Sequence, residues 1–178
     1  MKAYYLIFLM IGIPLYINAQ KYVERNGDVH FYSKAPLEDI EAHSNKGQSI
    51  IDLSSNRIAF EVPIKSFDFE KDLMQEHFNE NYMESEKFPK ATFTGSIKGF
   101  DKGKSGKQNV EAEGDITIHG IKKTWKAEGV MKIEGGKITL ETEFYVPLDD
   151  FDIEKPKVVF YNIADKIKVN LNFEYDEM

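Results

Sequence analysis

IKVNLNFEY, residues 167–175, alternates apolar and polar positions without a lapse. Ile167, Val169, Leu171, Phe173 and Tyr175 share one face, and Lys168, Asn170, Asn172 and Glu174 share the other. A period of two is the strand period, and a strand wet on one side only belongs to an antiparallel sheet. Working outward, the same signature recurs. Ile58, Phe60, Val62 and Ile64 alternate with Arg57, Ala59, Glu61 and Pro63. Ile138, Leu140, Thr142, Phe144 and Val146 alternate with Thr139, Glu141, Glu143 and Tyr145. Counted along the chain, about eight strands are predicted, near 28–34, 48–53, 57–65, 91–99, 108–119, 123–134, 137–147 and 166–175.

Turn chemistry joins them. Glu134-Gly135-Gly136-Lys137 is a short diglycine hairpin signal, and Asp101–Lys107 is a longer polar loop with two glycines. One helix is predicted near Glu70–Asn79, with Leu73, Met74, His77 and Phe78 at helical spacing and Asp68 as its cap. Regularly spaced antiparallel strands leave a closed up-and-down barrel or a sandwich. Closure removes exposed strand edges, and an eight-stranded barrel can hold one small ligand.

Residues 1–19 stand apart. Lys2 precedes an apolar run from Ala3 to Ile13, Pro14 breaks it, and Ile17-Asn18-Ala19 ends on a small residue before Gln20. That is the order of a secretory signal peptide, too short to span a bilayer comfortably, so no stable membrane anchor is expected. Residues 20–178 then form one domain, periplasmic or secreted. The chain carries a net charge of −7 and no cysteine. An acidic exported domain without a basic face is a poor nucleic-acid binder. Without cysteine there is no disulfide framework, thiol catalysis or thiolate metal site, and a hydrophobic core must hold the fold.

The predicted inner face is light. Strand 91–99 places Ala91, Phe93, Gly95, Ile97 and Gly99 inward. Strand 110–118 places Val110, Ala112, Gly114, Ile116 and Ile118 there, and strand 125–133 adds Trp125, Ala127, Gly129, Met131 and Ile133. Such small residues either relieve crowding where a barrel bends or leave a hydrocarbon-lined cavity. On the second reading the ligand is walled by Phe60, Val62, Phe93, Gly95, Ile97, Ala112, Gly114 and Ile116. Trp125, Ala127, Met131, Leu140, Phe144, Val169, Leu171 and Phe173 complete the wall. Each buried methylene of an acyl or prenyl guest contributes about 0.8 kcal/mol before ordering costs.

Catalysis finds little footing. His119 falls in phase with Glu111, Glu113, Asp115 and Thr117, on the wet side or at the turn before Gly120. Asp115 is four residues back on the same strand, roughly 13 Å away, and cannot orient it. It reads as a corner. His30, His43 and His77 show no metal-ligand spacing, and His77 reads as a packed residue on the helix. Ser54-Ser55 reads as a turn, and Asp149, Asp150 and Asp152 read as a solvated bend rather than a calcium loop. Neither a metal nor a cofactor is expected.

Two stretches carry a resemblance. FPKATFT, residues 88–94, is similar to the "FP-x-A-x-F" element of the YceI-like lipid/polyisoprenoid-binding family. GDITIHGIKK, residues 114–123, resembles that family's "G-D-L-T-I-H-G-V-T-K" element. Weaker likeness continues through Asp150-Phe151-Asp152-Ile153, where the family tends to show "D-F-G", so Asp152 stands at a glycine position. The resemblance covers about residues 58–175, and the opening VERNGDVHFYSKAP is shorter than the family's usual start.

It implies an all-β, eight-stranded antiparallel lipocalin-like barrel with one short helix, enclosing an apolar tunnel. It also implies an exported, non-catalytic carrier whose partner is an isoprenoid or fatty-acyl lipid, with no catalytic residue to carry over. The alternative is an envelope protein-interaction module with a filled barrel and exposed aromatics such as Tyr145. An enzyme would need a convergent polar cluster inside the barrel, where the strand phases place almost none. A homodimer stays open on either reading.

Overall fold

The computed structural model describes residues 21–34, 39–135, 137–154 and 163–178. Residues 1–19, where a signal peptide is expected, and Gly136 of the expected diglycine turn lie outside them. Eight long strands form the barrel: β1 (Lys21–Ser33), β2 (Ile40–Asp52), β3 (Arg57–Pro63), β5 (Lys90–Lys98), β6 (Gly106–Ile118), β7 (Ile121–Glu134), β8 (Lys137–Pro147) and β9 (Lys166–Glu177). Two-residue β4 (Asp68–Phe69) adds to the outer part of β2. The order is β1-β9-β8-β7-β6-β5-β3-β2, and a β1–β2 pairing closes the ring. Every pairing is antiparallel, so the chain meanders around the barrel with the β3–β5 link carrying the helix.

The helix is shorter than its apolar spacing predicts. α1 (Asp72–His77) runs into a π-helical turn, Phe78–Tyr82. Asp68 does not cap it, because that residue is already in β4 opposite His43. Among the described residues no helix is long and apolar enough to cross a membrane.

β1 and β2 start earlier than predicted, at Lys21 and Ile40. Their inward positions mix large apolar residues with small or polar ones, and the phase slips midway. Ile40, Ala42 and Ser44 are buried, and then Gly47, Ser49 and Ile51. Register shifts on either side of Gly27 mark the same irregularity on β1, where Gly27 faces Gly47. The gap these two glycines leave is occupied. A Cβ at Gly27 would fall 2.1 Å from Cε1 of Phe173, and one at Gly47 would fall 2.8 Å from the Gly27 carbonyl oxygen.

A second glycine pair sits across the barrel. Gly95 of β5 faces Gly114 of β6. A Cβ at Gly114 would lie 2.3 Å from the Thr94 carbonyl oxygen, and one at Gly95 would lie 2.4 Å from that of Glu113. Backbone itself fills the space, so neither position is a gap in the wall.

The barrel has two unlike ends. The end bearing the β2–β3, β5–β6 and β7–β8 turns is packed shut, with Tyr22, Ile51, Met131, Ile138, Phe173 and Tyr175 no more than 2% exposed. The helix end carries α1, the β6–β7 turn and the 3-10 turn Leu148–Phe151. A separate cluster of Ile64, Met83, Ile116, Val146, Leu148, Phe151 and Ile153 packs there. Gly114→Ala is expected to destabilise the barrel by roughly 1–3 kcal/mol, because the new methyl meets backbone that cannot rotate away. A urea midpoint unchanged from wild type would contradict this close approach.

Candidate ligand-binding cavity

Between the packed turn end and the helix end lies an apolar cavity of about 230 Å³. Its wall begins at Ser49, Phe173 and Tyr175 and continues through Phe60, Phe93, Ala112, Ala127, Leu140 and Leu171. Val62, Ile97, Ile116, Trp125, Phe144 and Val169 line it as well. Alternation alone explains this, since each strand sends every second side chain inward. Thirteen of the sixteen residues singled out from the sequence therefore converge on one cavity.

Gly95, Gly114 and Met131 do not. The first two are consumed in the backbone approach between β5 and β6, and the Phe93 ring leans over Gly95, with Cζ 2.8 Å from the place of a Cβ. Met131 is wholly buried in the plug at the turn end. The lightness of the inner face is thus bend at Gly95 and Gly114 and cavity at Ala112 and Ala127.

A ring cluster at the helix end escapes the strand phases. Phe31 packs against Phe67, Phe69 and Phe78 at centroid distances of 5.3, 5.6 and 5.3 Å, and all four line the cavity. Two of them, Phe67 and Phe69, come from the connection after β3. Their own alternation in SFDFEK was the available signal. α1 contributes Met74 and His77 to the wall, but Leu73 points outward and is 53% exposed.

His119 is a corner but not a wet one. Its φ of 51° places it in the left-handed region at the β6–β7 turn, yet its side chain is only 11% exposed. Nδ1–H donates to the Phe151 carbonyl at 3.0 Å, and Nε2 meets the Glu84 carboxylate at 3.0 Å. The ring also packs edge-on against Phe88, at 4.6 Å. The orienting carboxylate comes from 35 residues away, which strand phase could not reveal. Both ring nitrogens are engaged and the residue does not line the cavity, so it latches the turn to two neighbouring segments.

Other polar groups sort similarly. Asp150 pairs with Lys123 at 2.7 Å. Asp152 has φ 49°, the left-handed conformation that favours glycine and that aspartate tolerates. The indole Nε1 of Trp125 is buried without a hydrogen-bond partner, its ring lying 5.9 Å from Phe144 and 6.2 Å from Phe151. At the turn end, the Tyr175 hydroxyl is 2.7 Å from Ser49 Oγ. Burial pushes the Tyr175 hydroxyl well above the ordinary phenol value.

The family model for the YceI-like domain matches residues 24–175. Solved structures share the fold at low identity. A polyisoprenoid-binding domain from Saccharophagus degradans, implicated in plant cell wall breakdown, is 12% identical with a TM-score of 0.76, over 90% of this chain and 99% of that one. BcnA from Burkholderia cenocepacia is 16% identical with a TM-score of 0.70, over 84% and 96%. A Campylobacter jejuni YceI protein is 18% identical with a TM-score of 0.53, over 100% and 99%. No curated protein sequence matches the chain.

The buried phenol has a consequence in alkali. Below about pH 10 the folded and unfolded chains both keep this proton. Above it the unfolded chain releases the proton and the folded chain does not, so stability falls as pH rises. Tyr175→Phe is expected to make that fall shallower between about pH 9 and about pH 11. Equal slopes in urea titrations of the two proteins would contradict it.

Proposed function

The chain belongs to the YceI-like domain family, and from that premise we propose an exported, non-catalytic carrier that holds an isoprenoid or fatty-acyl chain inside its barrel. One observation carries the reading: a single apolar cavity runs from Tyr175 at the turn end to Ile118 and Ile153 at the helix end. Its wall is mostly hydrocarbon and aromatic rings, with Ser33, Ser49, His77, Thr92, Glu128 and Thr142 as its polar members besides tyrosine, and neither lysine nor arginine among the described residues that line it. Enclosed apolar surface of this kind rewards a flexible hydrocarbon guest and offers no convergent acid, base and nucleophile. The Saccharophagus degradans neighbour, described as a polyisoprenoid-binding domain, supports the ligand class.

A filled barrel acting through its surface is the second reading. The rings over Gly27 and Gly95 favour it, as does Tyr145, 54% exposed on the outer face. Native purification followed by solvent extraction and mass spectrometry separates the two. The carrier should yield a prenyl or acyl lipid, and the stripped protein should take up a fluorescent prenyl probe. Ala127→Leu should lower that uptake while leaving the fold intact. No lipid and no uptake, with Ala127→Leu costing roughly 1–3 kcal/mol of stability, would instead indicate an interior already full.

Export is part of the proposal. Expressed in full in a Gram-negative host, the chain should appear outside the cytoplasm with Gln20 as its first residue. Retention of the uncleaved chain in the cytoplasm would remove this element.

A further inference from the structure

At its turn end the cavity wall carries one polar pair, and its hydrogens can be assigned. Ser49 of β2 and Tyr175 of β9 both line the cavity and are 5% and 1% exposed. Ser49 Oγ lies 3.0 Å from the Ala59 carbonyl and 2.7 Å from Tyr175 Oη. A carbonyl oxygen can only accept, so the serine hydrogen goes to Ala59. The tyrosine hydrogen then goes to Ser49. Donation runs from Tyr175 to Ser49 to the backbone, and both hydroxyl hydrogens are committed.

What is left on Tyr175 Oη is unspent acceptor capacity at the floor of a hydrocarbon cavity. Beneath it Tyr22, Ile51, Met131 and Ile138 close the barrel and offer it no donor side chain other than the Tyr22 hydroxyl, which bonds Glu177 at 3.3 Å. A charged terminus would find no cation here, since no lysine or arginine lines the cavity among the described residues. Burying such a charge unpaired costs several kcal/mol. An uncharged terminus that donates a hydrogen bond is what the site lacks.

We propose that the Tyr175–Ser49 pair selects the polar end of the guest: an uncharged hydroxyl on an apolar chain docks on Tyr175 Oη, and its hydrocarbon extends toward the helix end. This rests on the carrier reading and adds which end of the lipid enters first. Phosphorylated or ionised lipids are disfavoured at the floor, and ethers or esters gain nothing from an oxygen whose hydrogen is already spent.

The test uses three probes of one skeleton: farnesol, farnesyl methyl ether and the hydrocarbon farnesene. Each displaces a fluorescent apolar dye from wild type, Ser49→Ala, and Ser49→Ala/Tyr175→Phe. The readout is the ratio of alcohol to ether affinity, which cancels the difference in hydration of the probes when compared between proteins. From wild type to the double variant the ratio is expected to fall roughly three- to tenfold, one neutral hydrogen bond's worth. Ser49→Ala alone should lower it at least as far, because the freed Tyr175 hydrogen then turns to the cavity and favours the ether. Farnesene affinity, steady across the three proteins, reports that the cavity is intact. A ratio unchanged in both variants, with farnesene still bound, overturns the inference and leaves the carrier standing. Failure of all three probes on wild type overturns the carrier reading, and this inference with it.

Discussion

Two backbones can come into contact across a ladder only where no side chain stands between them. The barrel uses that freedom at Gly95–Gly114 and again at Gly27–Gly47. Everything inside follows from these two approaches. Both sit in a sheet that closes through the β1–β2 pairing, which leaves no long unpaired edge. They also dictate where large residues go. Phe93 leans over Gly95 and Phe173 over Gly27, so rings occupy the volume that side chains at the bends would have taken. The interior is therefore partly filled by design of the bends, and the remaining cavity lies between the rings rather than behind the glycines.

That arrangement gives the cavity its character. Rings and branched aliphatics have few rotamers, so a wall built from them is largely preformed. At the helix end, four phenylalanines meet, one from β1 and three from the β3–β5 connection, the last of these in its π-helical turn. His119 ties the β6–β7 turn beside them to Glu84 and to Phe151. The rim of the cavity is thus braced by polar contacts outside it, while few polar side chains reach the wall inside. With no cysteine in the chain, ladder bonds and this packing carry the fold.

Much of this was legible in advance because one period dominates the chain. In β3, β8 and β9 the apolar set faces inward throughout, and reading every second residue finds the wall. The reading failed where another constraint replaced alternation. β1 and β2 were cut short because a bulge shifts their phase and because Ser44 and Ser49 turn polar groups inward. For Gly95 and Gly114 the sequence left bend and vacancy both open, because a sequence does not show how near the next strand runs. Glu84 could not be linked to His119, since their contact joins the β3–β5 connection to the β6–β7 turn across 35 residues. Asp152 is the converse case: an aspartate at a position resembling a glycine site proves to hold the left-handed conformation that explains the resemblance.

One contact at the seam has a wider meaning. The amide of Met178 donates to the carbonyl of Lys21 at 2.9 Å, so the last described residue lies one ladder bond from the first of β1. With β1 flanked by β2 on one side and β9 on the other, the strand order is a circle with no privileged beginning. A short peptide joining 178 to 21 would leave every inter-strand pairing in place, and the polypeptide could be cut instead within the polar 101–107 loop. Topologically the fold is a loop of eight strands that happens to be opened at this seam, and circular permutation is built into it.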